Sequence, residues 1–185
     1  MLTVQSLNNK NITDFASERN DLLEKSKSVW VLFLDSDERL YSPIKNISDK
    51  YNGYFLKRKN YFLGQYVGTD KIVRLGKKNA GRWYRAVHET WKINGNIGIL
   101  PNIIIHNTAD NLRDYINKIN IYSGLHAKEN LKENKKSNLL KIIFFPPIKF
   151  VFVLIKSKNI VFSILQAFHS FLAWSELWLI QSNEN

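Results

Sequence analysis

The run Val29-Trp-Val-Leu-Phe-Leu34, six apolar residues without interruption, passes directly into Asp35-Ser-Asp-Glu38. β-Branched and aromatic side chains dominate the run, which favours strand over helix. A half-exposed strand alternates apolar and polar residues, whereas an unbroken apolar strand has packing partners on both faces. The chain is therefore expected to build an α/β sheet covered on both sides. The polar tetrad then sits at the carboxyl end of a strand, where open α/β sheets bind their ligands.

The rest of the chain divides by periodicity. Leu2 to Val4 suits a short strand. Ile12, Phe15, Ala16, Arg19, Leu22 and Leu23 recur at helical spacing and predict a helix from about Thr13 to Lys25, capped by Asn11 or Thr13. Residues 51–68 read as strand and loop, Lys71 to Leu75 as a short strand, and 82–93 as mixed strand and turn. Residues 97–106 hold a second apolar strand ending on His106. From Thr108 the pattern turns helical, with a stripe of Leu112, Tyr115, Ile116, Ile119 and Tyr122 capped by Thr108 or Asp110. A polar, lysine-rich stretch over 130–138 then closes the helix and serves as a linker. Leu139 to Ile155 is apolar with scattered lysines and is expected to break at Pro146-Pro147.

Ile160 to Ile180 is a 21-residue apolar segment carrying Gln166, His169, Ser170, Ser175 and Glu176. Its length suffices to cross a bilayer. A glutamate and a histidine inside a lone span are costly, however, and most of these polar residues fall along one side of a helix. A helix lying in a membrane interface, or packed on its neighbour, is the expectation. There are no internal repeats and no low-complexity segments.

The chain has 185 residues, enough for one domain plus an appendage and for a buried core. It has no cysteine, which excludes disulfides, thiolate catalysis and cysteine-held metal sites, and fits a reducing compartment. The N-terminus has no charged start with an apolar core and small-residue cleavage site, so no secretory signal is read. The net charge of +11 is concentrated: between His126 and Lys158 lie eight lysines against two glutamates. Basic residues flanking apolar helices point to anionic lipid. Nucleic acid is the rival partner, but it calls for lysines interleaved with exposed aromatics, and no nucleic-acid role is expected.

Asp35 and Asp37 are two hard oxygen ligands, two residues apart. In an extended segment they would face one site and suit Mg²⁺ or Mn²⁺ bridging a substrate diphosphate. The same residues read equally as a polar turn after a strand. A Walker B strand also ends in acids, but the Gly-x-x-x-x-Gly-Lys-Ser/Thr loop it needs is missing. His88-Glu89 offers a carboxylate general base or, more simply, a surface salt bridge. His106 reads alone as a core histidine. Arg58 and Arg74 are candidates for diphosphate or acceptor contacts. His126 and His169 have no partner at useful spacing.

Taken in order, Phe15-Ala-Ser-Glu-Arg-Asn20, Trp30-Val-Leu-Phe-Leu-Asp-Ser-Asp-Glu-Arg-Leu40, Arg58-Lys-Asn-Tyr-Phe-Leu-Gly64, Arg74-Leu75, Val87-His-Glu89 and Ile105-His106 resemble the family 2 glycosyltransferases of the GT-A kind, similar to bacterial lipopolysaccharide-core enzymes. The resemblance covers roughly residues 2–180. It implies a partial GT-A, Rossmann-like sheet over 1–107 that lacks its first strands, then C-terminal amphipathic and apolar, membrane-associating helices over 108–185. Asp35 and Asp37 would be the Asp-x-Asp motif on a divalent metal and the donor diphosphate, with His106 as a further metal ligand. Glu89, with His88 beside it, would be the base of an inverting transfer, and Arg19 and Asn20 would lie near the nucleotide. The donor would be a nucleotide-sugar and the acceptor a lipopolysaccharide-core or other cell-surface glycan or glycolipid, at the cytoplasmic face of the membrane. Such enzymes open with a strand and a Tyr-Asn-Glu-Glu loop and then an Asp-Ser-Gly-Ser-Thr-Asp segment. This chain is expected to start at about the third strand, which leaves a non-catalytic remnant, or a subunit of a split enzyme, as the alternative.

Overall fold

A computed structural model describes residues 2–7, 12–87 and 89–183. It is a mixed α/β protein: a six-stranded sheet with a crossover helix, a two-stranded ribbon and three C-terminal helices. Two compact units are present, Met1–Tyr61 with Thr69–Thr108, and Phe62–Gly68 with Ala109–Asn185.

In the first unit, β1 (Leu2–Leu7) pairs parallel with β2 (Trp30–Asp35) through the crossover helix α1 (Phe15–Lys25). Next in the chain come β3 (Glu38–Leu40), β4 (Gly53–Phe62), β5 (Gln65–Lys77), β6 (Gly81–Tyr84), β7 (Thr90–Ile93) and β8 (Ile97–Asn107). The sheet order is β1-β2-β5-β4-β8-β3. β2 runs antiparallel to β5, β4 parallel to β8, and β3 antiparallel to β8.

The double-sided burial expected of β2 is realised residue by residue. Trp30 and Leu32 pack with Tyr54, Leu56, Leu75 and Ile104 on one face. Val31 and Phe33 pack on the other with Ala16 and Leu23 of α1 and with Trp83 and Trp91 of the β6–β7 ribbon. Trp83 and Trp91 are cross-strand partners, stacked at 5.2 Å, and Phe33 meets both edge-on. Such aromatic geometry adds to simple area burial.

α1 starts on Asp14, not Asn11 or Thr13. Asp14 is extended and its Oδ1 accepts from the Ser17 N–H at 2.9 Å, which satisfies an otherwise orphan donor of the first turn. Asn11 lies outside the described residues. Ala16, Arg19 and Leu23 form the buried face. β1 and β5 are longer than the sequence pattern predicts, and β3 lies where that pattern assigns no element. β8 carries Pro101 because the β4–β8 register shifts there, Phe55 pairing Ile99 and Lys57 pairing Ile103. A bulge tolerates the missing N–H.

In the second unit, α2 (Leu112–Lys132), α3 (Leu139–Ser157) and α4 (Ile160–Asn183) follow in turn. α2 is capped by Asn111, whose Oδ1 accepts from the Asp114 N–H at 2.9 Å, in place of Thr108 or Asp110. α3 runs through Pro146 and Pro147 without interruption. The helix forgoes the two N–H bonds of those prolines but stays packed along α4. Along the α2–α4 contact, Gln166 donates to Tyr115 Oη at 2.6 Å and Ser123 donates to Glu176 at 2.8 Å. The His126 and His169 rings, which sequence spacing does not connect, lie 5.9 Å apart between centroids, tilted by 42°. Burial pushes the Tyr115 phenol up to about 12, against the opposing effect of the Gln166 hydrogen bond. α4 is the one described helix long and apolar enough to cross a membrane.

Candidate active site

The carboxyl end of β2 opens into an ion cluster built from four strands, one helix and one loop. The chain turns at Ser36-Asp37, and Asp35 and Asp37 take different partners, though the Asp37 charge acts on Asp35. Asp35 accepts from Arg19 of α1 on Oδ1 and from Arg74 of β5 on Oδ2, the latter at 2.6 Å. The turn also brings Glu38 back beneath Asp35: Glu38 Oε2 accepts from the Asp35 N–H at 3.1 Å. Glu38 Oε1 then receives Arg58 of β4 at 3.0 Å and Arg74 at 3.1 Å. Arg58 continues to Asp70, with bonds of 3.1 and 2.7 Å.

Glu89 arrives from the loop before β7. Its Oε1 accepts from Nε and Nη2 of Arg19 at 3.0 and 2.8 Å, and Arg74 stands 3.7 Å away. Arg19 is fully buried, and its guanidinium lies 4.7 Å from the Trp83 ring centroid, a cation–π contact. Four carboxylates thus meet three guanidiniums. Burial alone would raise the Asp35 carboxyl, but Arg74 and Arg19 outweigh it and hold the group below its usual range. The same balance between burial and Arg58 lowers Asp70. Arg74 is raised, the nearby carboxylates overcoming burial. Nη1 of Arg19 and Nε of Arg74 are buried without a hydrogen-bond partner among the described residues.

Asp37 faces a different neighbour. His106, opposite Glu38 in the β3–β8 ladder, has Nε2 3.6 Å from Asp37 Oδ2. On the other side of the ring, Nδ1 is 2.8 Å from Asn60 Oδ1. An amide oxygen only accepts, so Nδ1–H donates to Asn60 and the Nε2 edge of the ring is left facing the Asp37 carboxylate.

The candidates therefore fall into two groups. Arg19, Arg58, Arg74, Asp35 and Glu89 share one network, and Asp37 and His106 form a pair. Asn20 uses its amide on the Trp83 backbone, donating to the carbonyl at 3.0 Å and accepting from the N–H at 2.9 Å, which fixes α1 to β6. His88 lies outside the described residues. Among the described residues no three His, Cys, Asp or Glu side chains gather as a metal cluster. The sequence does not single out Asp70 or Asn60, and it marks Glu38 only as part of the tetrad, with no role of its own. Glu38 carried the one available signal, as the fourth residue of the tetrad.

Comparison with known proteins places this chain beside glycosyltransferases. One relative is a lipopolysaccharide core biosynthesis glycosyltransferase, LpsC, of Rhizobium meliloti (strain 1021), 28% identical over 152 residues. The match takes in 74% of this chain and 56% of the relative, so the chain spans little more than half of that protein. No family model matches.

Proposed function

We propose that the chain is a glycosyltransferase of the GT-A kind, family 2. It would transfer a sugar from a nucleotide-sugar to a lipopolysaccharide-core or other cell-surface glycan, with inversion and with a divalent metal. The observation that carries this is the sharing of Arg19 by Asp35 and Glu89. Residues 54 positions apart in sequence, singled out as the donor-side and acceptor-side carboxylates, meet on one guanidinium.

Asp37 and His106 fit a metal ion, because Mg²⁺ is commonly held by one or two carboxylates together with substrate phosphates. Asn60 would fix the histidine tautomer that such a ligand needs. Asp35 would join them only if an arginine gave way. When bound, the ion would neutralise charge on the departing diphosphate. Glu89, oriented by Arg19, would take the proton of the acceptor hydroxyl as its oxygen bonds to the anomeric carbon and the bond to the diphosphate breaks.

The test is calorimetric titration of the protein with UDP-glucose and other sugar nucleotides in Mn²⁺, followed by turnover on a core-glycan acceptor. Asp37→Ala is expected to abolish metal-dependent donor binding. Glu89→Gln is expected to retain binding and lower turnover by about 10²–10⁴-fold. Donor binding unchanged in Asp37→Ala would overturn the reading. The saturation of both Asp35 oxygens by arginines favours one rival, a non-catalytic relative or subunit whose ion cluster is purely structural. Absence of any donor binding in the wild-type chain would support it.

A further inference from the structure

Helices of water-soluble bundles bury apolar side chains and expose polar ones. α4 buries Leu165, Ala173 and Leu177, yet it also turns polar residues inward and large apolar ones outward. Gln166, His169 and Glu176 face α2. Ile160, Ile164, Phe168, Phe171 and Trp178, spaced by four, four, three and seven residues along the opposite side, are exposed. Only 22% of its most apolar 18-residue window is buried. α3 continues the same surface: Leu140, Phe144, Ile148, Val151 and Ile155 form an exposed stripe, Ile148 at 62% and Ile155 at 73%. Beside that stripe Lys141, Lys149 and Lys156, eight and seven residues apart, share an adjoining strip of the helix. Between Glu133 and Glu176 there are six lysines and no acidic residue.

We propose that α3 and α4 form a monotopic membrane anchor, their common apolar face lying in the plane of an anionic bilayer and the lysines meeting lipid phosphates. Charge selects this occupant. A second copy would set six lysines against six others, whereas an anionic leaflet complements them. Lys149 selects the in-plane arrangement, because it stands exposed at the middle of α3 and a spanning hairpin would carry it into hydrocarbon. The prolines of α3 agree with a helix held by a neighbour and by lipid. None of this depends on the sugar chemistry, so either reading can fail alone.

The experiment is flotation of the full chain with vesicles of phosphatidylcholine alone or mixed with phosphatidylglycerol. The protein is expected to float with the anionic vesicles and less so as salt rises. Ile148→Asp and Ile155→Asp, both at exposed sites, should abolish flotation with the circular dichroism unchanged. Lys149→Ala and Lys156→Ala should each weaken binding by about fivefold, the size of one lysine near an anionic surface. Lipids brominated near the headgroup should quench tryptophan more than lipids brominated near the chain end. Failure to float, flotation indifferent to these substitutions, stronger quenching from the chain end, or a discrete dimer dispersed by Ile155→Asp would each overturn the proposal.

Discussion

Arg19 serves two carboxylates while its own charge is removed from water against Trp83. Deleting it leaves Asp35 and Glu89 beside a cavity with one cation fewer. Arg19→Ala is expected to cost about 3–5 kcal/mol, the usual penalty for breaking a buried pair, read from the midpoint of urea unfolding. Arg19→Lys should fall between, since an ammonium keeps the charge but cannot present several N–H groups in fixed directions. Asp35, Glu89 and the arginines were candidates through their order along the chain, since each alone also reads as a turn, a surface ion pair or a solvated charge. Asp70 and the partners of Glu38 were not legible, because they are set by strand neighbours and by a tight turn, which spacing does not encode.

At the level of elements, the turn Leu63-Gly64 between β4 and β5 has both residues in the left-handed region, at φ 48° and 79°. That geometry suits a two-residue hairpin, but glycine or asparagine adopts it far more readily than leucine. Leu63→Asn is expected to stabilise the protein by about 0.5–1 kcal/mol, visible as a raised thermal midpoint. β2 was legible because an unbroken apolar run admits few structures, and α2 because its stripe is periodic. α3 was not, since proline pairs break most helices and its persistence depends on packing along α4. β3 was hidden because three residues carry no periodicity.

For the whole molecule, charge governs the acid limit. At neutral pH it carries +11, and protonation of its acids would leave 27 lysines and arginines unopposed. Asp70 adds to this. Its carboxyl is lowered in the fold by Arg58, so its contribution is present above the unfolded value near 3.8 and lost as pH falls through the lowered one. Thermal midpoints measured between neutral and strongly acidic pH should therefore drop below about pH 4, and Asp70→Asn should flatten that drop while lowering the neutral value.

The polar seam between α2 and α4 bears on how the helical unit behaves outside water. Apolar contact alone specifies nothing once the surroundings are equally oily. The Tyr115–Gln166 and Ser123–Glu176 hydrogen bonds still have only one correct partner there. Helix pairing in this unit should consequently be indifferent to solvent, keeping its register in detergent micelles that loosen bundles held by greasy faces.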